Sequence, residues 1–107
     1  MNQPPPPLRL TLGAIEDARE TRLYYHEIGE ELATDFIAEL REALRKVRDH
    51  PHLHGFYHKD ARRCHLNRFP YLVLFRALED ETKVYAVAHE KQKPKGFIER
   101  LDSNLTQ

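Results

Sequence analysis

The 107-residue chain has one cysteine, no net charge and no long apolar run. A single cysteine, Cys64, excludes an internal disulfide and any zinc module built on several thiolates, and it fits a reducing compartment. Seventeen basic and seventeen acidic side chains cancel, which excludes a globally basic nucleic-acid binder. The longest apolar stretches are a handful of residues, against the about 20 that a spanning helix needs, so no membrane segment is expected. The opening MNQPPPP lacks a basic-then-apolar pattern, so signal-directed export is not expected and the cytoplasm is the expected location. The motifs GxSxG, GxGxxG and HExxH and the P-loop are also absent. What is present is 40% hydrophobic and 32% charged residues, the composition of one small globular domain. A chain of this size buries roughly 60–68% of its unfolded surface, enough for one core.

The zero net charge conceals an asymmetry. Residues 1–50 carry 7 Lys/Arg against 10 Asp/Glu, and residues 51–107 carry 10 against 7. Between 58 and 76, Lys59, Arg62, Arg63, Arg68 and Arg76 meet only Asp60. A local basic patch suits an anionic partner. Basic residues also serve simply to keep strand edges solvated.

Hydrophobic periodicity divides the domain. Residues 1–7 read as a proline-rich flexible tail and 102–107 as a second tail, leaving 8–101 as a single domain. Leu8 to Leu12 alternates as a short strand, and Gly13 punctuates it. Residues 14–28 read as a helix with Ile15, Ala18, Arg22, Tyr25 and Ile28 on one face. Gly29 breaks it. Residues 30–49 carry the strongest helical pattern, with Leu32, Phe36, Leu40, Leu44 and Val47 in one stripe widened by Ala33, Ile37 and Ala43. Acidic residues crowd its start and basic ones its end, and Pro51 stops it. A one-residue joint predicts an antiparallel helical hairpin. After Pro51 the period falls to two. Residues 52–60 read as a loop, 61–69 as a strand with one wet face, 71–78 as a central strand covered on both faces, and 83–89 as a last strand. Residues 96–101 suggest a closing helical turn. The expected fold is α+β, a two-layer domain with an N-terminal strand, a helical hairpin and an antiparallel three-stranded meander. Phe36, Leu40, Leu44, Tyr71, Val73, Phe75, Val84 and Ala86 are the expected core.

Three groups invite chemistry. Cys64 and His65 are adjacent on a strand and point to opposite faces, which argues against a nucleophile pair. His50, His52, His54 and His58 crowd one loop at a spacing that could gather imidazoles around zinc or nickel. Pro51 and Gly55 break the regularity, and no acidic or cysteine ligand stands at diagnostic spacing, so no metal site and no cofactor are assigned. The third group is the arginine-bearing sheet. Arg63, His65 and Asn67 share one face of their strand, Arg76 lies on the next, and His89, Lys91 and Lys93 follow the last. Adjacent strands are expected to bring these groups together against phosphate or acidic groups. Arg76 interrupts an apolar strand, so its charge must emerge at the sheet rim or meet a carboxylate, with Glu79, Asp80 and Glu81 nearest across the turn.

From about 8 to 101 the sequence resembles the RelE/ParE superfamily of type II toxin–antitoxin toxins, the plasmid stabilization proteins. The matching residues are Ala14–Ile15–Glu16–Asp17, Tyr24–Tyr25, Ala33 with Phe36, and His50–Pro51. The specific part is Arg62–Arg63, then Arg68–Phe69–Pro70–Tyr71 running into the apolar strand to Arg76, and Val84–Tyr85–Ala86–Val87–Ala88–His89. RelE-like members cut mRNA on the ribosome and use an arginine early in the strand after the hairpin, where this chain has Tyr71 and Leu72. They also use Arg or His-Tyr near the C-terminus. Here there is no arginine between 77 and 99 and no tyrosine after Tyr85. ParE-like members poison DNA gyrase without those residues, and the FPY and AVAH signatures resemble that branch.

The resemblance therefore implies a growth-arresting toxin, with gyrase as target and a cognate antitoxin protein as partner, assembled as a dimer or heterotetramer. A ribosome-dependent mRNA endoribonuclease, with His89, Lys91 and Lys93 as its catalytic groups, is the alternative, and a toxin without activity the third. The residues expected at the target surface are Arg63, Arg68, Arg76, His89 and Lys91. The flank of residues 14–49, the strand edge at 8–12 and the basic patch are the expected antitoxin surfaces.

Overall fold

A computed structural model describes residues 3–103. The first strand, β1 (Leu8–Leu10), leads through Thr11 into helix α1 (Leu12–Ile28). The Thr11 hydroxyl accepts a hydrogen bond from the Ala14 N–H at 3.2 Å, a side-chain N-cap that satisfies one of the free donors of the first turn. The helix thus starts two residues before the position expected from the pattern, and Gly13 lies inside its first turn. There Gly13 leaves room for Arg100, whose Nη1 would stand 3.2 Å from a Cβ at this position. Helix α2 (Glu30–Asp49) follows after the single residue Gly29. Its buried residues Ala33, Phe36, Leu40, Ala43 and Val47 recur every three or four positions, one helical face.

The chain then turns through a short 3₁₀ segment (Pro51–Leu53) into β2 (Phe56–His58), β3 (Ala61–His65), β4 (Tyr71–Ala77) and β5 (Thr82–His89), and ends in α3 (Pro94–Ser103). The sheet order is β1-β5-β4-β3-β2, with β1 parallel to β5 and the other neighbours antiparallel. The expected α+β arrangement is present, and β2 extends the expected meander by one edge strand. Three residues of β2 lie in the stretch that reads as a loop, too short a run to alternate visibly. β3 ends at His65, four residues early, because the chain leaves the ladder before Pro70. Of the expected tails, residues 1–2 and 104–107 lie outside the described residues. Asp102 and Ser103 belong to α3, and the Pro7 carbonyl accepts a hydrogen bond from the Thr82 N–H at 2.9 Å.

The helical hairpin packs on one sheet face. Ala14, Phe36, Leu40, Ala43 and Val47 meet Cys64, Leu66, Phe69, Val73, Phe75, Val84 and Val87 there. Tyr25, Phe36, Phe69 and Tyr71 form an aromatic group with centroids 5.0–6.2 Å apart. The other face carries Leu72, Leu74, Tyr85, Ala86 and Ala88 under Phe97 and Leu101 of α3. That second layer explains why β4 is apolar almost throughout. A register shift between Leu74 and Phe75 leaves Leu74 opposite Ala86 and Phe75 opposite Val84. The extra residue, Tyr85, lets Val84 and Val87 both face the hairpin despite their odd spacing.

Three expectations about the core change. Ala86 is buried on the α3 face, not under the hairpin, because the bulge reverses the alternation. Leu44 and Tyr71 are half-buried and pack against the core from its margin. In α1 the inward residues are Ala14, Ala18, Thr21 and Tyr25, while Ile15 and Ile28 are 46% and 58% exposed. The face sits one residue away from the one that the large apolar side chains suggest.

Candidate functional site

The five residues expected at a common target surface are dispersed. Val73 and Val87 face the hairpin, and Tyr71 and His89 continue that face, their rings in edge contact at 5.0 Å. Arg63 pairs in register with Leu74, and Leu74 packs on the opposite face. His89 and Arg63 are therefore separated by the sheet. Arg68 lies beyond β3 and bends towards α2, where its ion pairs with Asp35 and Glu39 span 3.3 and 3.4 Å. The hydrogen bonds to those two carboxylates hold its pKa above the usual arginine value. Lys91 and Lys93 are exposed in the turn after β5.

Arg76 is withdrawn from any surface, with 1% of the residue exposed. Its Nε donates to Asp60 Oδ1 at 2.8 Å and its Nη1 to the Leu101 carbonyl at 3.0 Å. The guanidinium stands 5.1 Å over the Tyr85 ring. Burial opposes the charge most strongly, but the interactions with Asp60 and Tyr85 together outweigh it and the pKa rises. The charge does meet a carboxylate, but that of Asp60 in the β2–β3 turn instead of an acid of the β4–β5 turn. α3 covers Arg76, which places it behind the surface where the sequence leads one to expect target contact.

His89 lies in a shallow cleft with Glu20, Tyr24, Tyr71 and Gln92. The Lys91 N–H donates to His89 Nδ1 at 3.0 Å, and the His89 N–H donates to Gln92 Oε1 at 2.8 Å. The first of these bonds makes the imidazole an acceptor at Nδ1. Beneath the cleft, Asp17 Oδ2 accepts from the Val87 N–H at 3.0 Å and from Arg100 Nη1 at 2.8 Å. This tie joins α1, the β5 bulge region and α3. The residues lie 83 positions apart, and no spacing in the sequence announces the pair.

A second surface follows α2. One depression between the helices is lined by Arg22, His26, Ile37 and Arg41. Another, lined by Leu8, Arg41, Leu44, Arg45 and Arg48, continues to the edge strand β1. Arg41 belongs to both, so the two depressions adjoin along α2, together the α2 groove, largely apolar inside and basic at its rim except for Glu30. Arg45 and Arg48 are held by Glu42 and Asp49, whereas Arg22 and Arg41 form no ion pair among the described residues. The groove ends where β1, paired with β5 on one side, leaves its other backbone edge unpaired within the sheet.

The histidine loop is not gathered. Among the described residues no three His, Cys, Asp or Glu side chains stand where they could hold a metal. His54 packs edge-on to Phe75 at 5.5 Å, and burial lowers its pKa. His58 Nε2 lies 3.1 Å from Asp102 Oδ1. Cys64 is buried in the hairpin core, where burial raises its thiol pKa, and His65 points away to Glu90 at 3.4 Å. No described helix is long and apolar enough to cross a membrane.

Comparison with known proteins adds two findings. The family model described as the ParE toxin of the type II toxin–antitoxin system parDE matches residues 8–94. The fold is similar to a solved chain described as the chromosomal ParDE TA system from P. aeruginosa, with TM-score 0.71 and 19% identity, covering 81% of this chain and 98% of that one. No curated protein matches the sequence.

Proposed function

The chain belongs to the ParE toxin family of type II toxin–antitoxin systems, which implies an antitoxin partner, and from that premise we propose that it arrests growth by poisoning DNA gyrase. The observation that carries this reading is that, among the described residues, no nuclease constellation stands in the polar cleft around His89. Tyr71 and Leu72 open β4 where a ribonuclease of the superfamily would place a guanidinium. Arg76 is buried, and His89 stands apart from Arg63 across the sheet. Arg63, Arg68 and the adjoining pair His89 and Lys91 remain candidates for target contact, on three separate surfaces.

The antitoxin reading rests on the α2 groove. Its basic rim and largely apolar interior suit an amphipathic acidic segment that folds on binding, and the open edge of β1 can accept an added strand. Assembly as a dimer or heterotetramer with the antitoxin, in the cytoplasm, completes the proposal. The test is expression in cells lacking the antitoxin. Growth arrest with intact mRNA and a DNA-damage response is expected. Cleavage of ribosome-bound mRNA that disappears in His89→Gln would replace this reading with the ribonuclease. Co-expression with the neighbouring antitoxin should yield a co-purifying complex that Arg41→Glu weakens.

A further inference from the structure

The sheet face away from the hairpin carries three cations in a row. Arg9 on β1 is in register with Lys83 on β5, and Lys83 with Arg76 on β4. Cross-strand partners project from the same face. Arg76 is 1% and Lys83 3% exposed, which is rare for either residue type. Their charged groups flank one ring, Tyr85, at 5.1 and 5.2 Å from its centroid.

The acids nearby do not balance them. Glu81 is taken by Arg9, which holds it with two hydrogen bonds of 2.8 and 2.9 Å. Asp60 reaches one edge of Arg76 while its own side chain remains 64% exposed. Lys83 has no ion-pair partner among the described residues. Arg76 Nη2 is fully buried and has no hydrogen-bond partner among them. Arg9, Lys83 and Arg76 against Glu81 and Asp60 leave one positive charge in excess, with an unused donor on the Arg76 guanidinium. An uncompensated buried charge is costly unless a counter-charge completes it.

We propose that Arg76 Nη2 and the Lys83 ammonium form a binding site for an oxyanion, either a carboxylate or a phosphate group. Arg76 supplies directional N–H donors and Lys83 a mobile point charge, the pairing that oxyanion sites use. Asp60 marks the solvent side of the site, and the Leu101 carbonyl fixes the guanidinium from α3. Occupation would complete the charge balance and tighten α3 onto the sheet. The site is separate from the α2 groove and from the His89 cleft, and it stands whether or not gyrase is the target.

The experiment is an NMR titration of the purified chain with inorganic phosphate and, separately, acetate, at constant ionic strength. The Arg76 Nε–H and the Tyr85 backbone amide are followed. Saturable shifts with phosphate alone assign a phosphate group, and saturable shifts with acetate assign a carboxylate. Lys83→Met should weaken the binding about tenfold or more, the loss expected for one charge-assisted bond. Lys83→Arg should restore it. No saturable shift with either anion overturns the proposal. So does binding by folded Lys83→Met that equals the parent's. Should Lys83→Met not fold, the parent titration and Lys83→Arg decide, and loss of binding in a folded Lys83→Arg also overturns the site.

Discussion

Replacing Arg76 by Gln, with Arg63→Gln as its partner, separates a structural arginine from a surface one. Arg76 gives up a 2.8 Å charged bond to Asp60, a 3.0 Å bond to the Leu101 carbonyl and its place over Tyr85. Breaking a buried ion pair from one side costs about 3–5 kcal/mol because the partner is left buried and uncompensated. Here the partner, Asp60, is 64% exposed and recovers hydration, which trims the loss. The Leu101 carbonyl, on the buried side of α3, does not recover as easily, so about 2–4 kcal/mol is expected. Arg63 is exposed, and its replacement should stay within about 0.5 kcal/mol. Urea denaturation followed by circular dichroism measures both. Against a total of about 5–15 kcal/mol, the first loss is a large midpoint shift and the second is none. An Arg76→Gln loss below about 1 kcal/mol, with native α3 signals retained, would refute the burial argument.

Leu40→Ala should cost about 2–5 kcal/mol because Leu40 is 4% exposed beneath the sheet. Ile15→Ala, at 46% exposed, should cost under about 1 kcal/mol, and equal losses would mean that the inward face of the hairpin is misplaced. His54 has a pKa lowered first by burial, partly offset by its bond to the Lys46 backbone. The unfolded chain therefore takes up a proton at about pH 6.5 before the folded one does. Stability should fall as pH drops through that value towards the folded pKa, and His54→Gln should flatten this part of the pH–stability curve. A curve unchanged by the substitution would remove His54 from the account.

Much of the fold is written in periodicity. Phe36, Leu40 and Val47 recur at helical spacing, and the continuous apolar run of β4 signals cover on both faces. The inward face of α1 is harder to read because its buried residues are small, Ala14, Ala18 and Thr21, while Ile15 and Leu23 point outward. Burial there follows backbone proximity to the sheet, and side-chain hydrophobicity misleads by one residue. The bulge at Tyr85 is likewise silent, since Val84 to Ala88 is apolar whichever way the strand alternates. The site was the least legible. Arg76 shows in sequence only as a charge within an apolar strand, which fits a rim residue and a buried one equally. Its partner Asp60 lies 16 residues away in a turn, and the deciding element, α3, reads from the sequence as a single turn. The basic groove along α2 was more accessible, because Arg41, Arg45 and Arg48 already lie on the polar side of a well-defined helical stripe.

The central claim is that this ParE-family chain acts on DNA gyrase. The most direct measurement incubates the purified chain with purified gyrase, relaxed plasmid and ATP, and follows both supercoiling and trapped double-strand breaks. The account predicts lost supercoiling, with cleaved plasmid accumulating as the chain is added, and recovery when the antitoxin is present in excess. Normal supercoiling without cleavage at any toxin concentration, from protein that still arrests growth in cells, would contradict it.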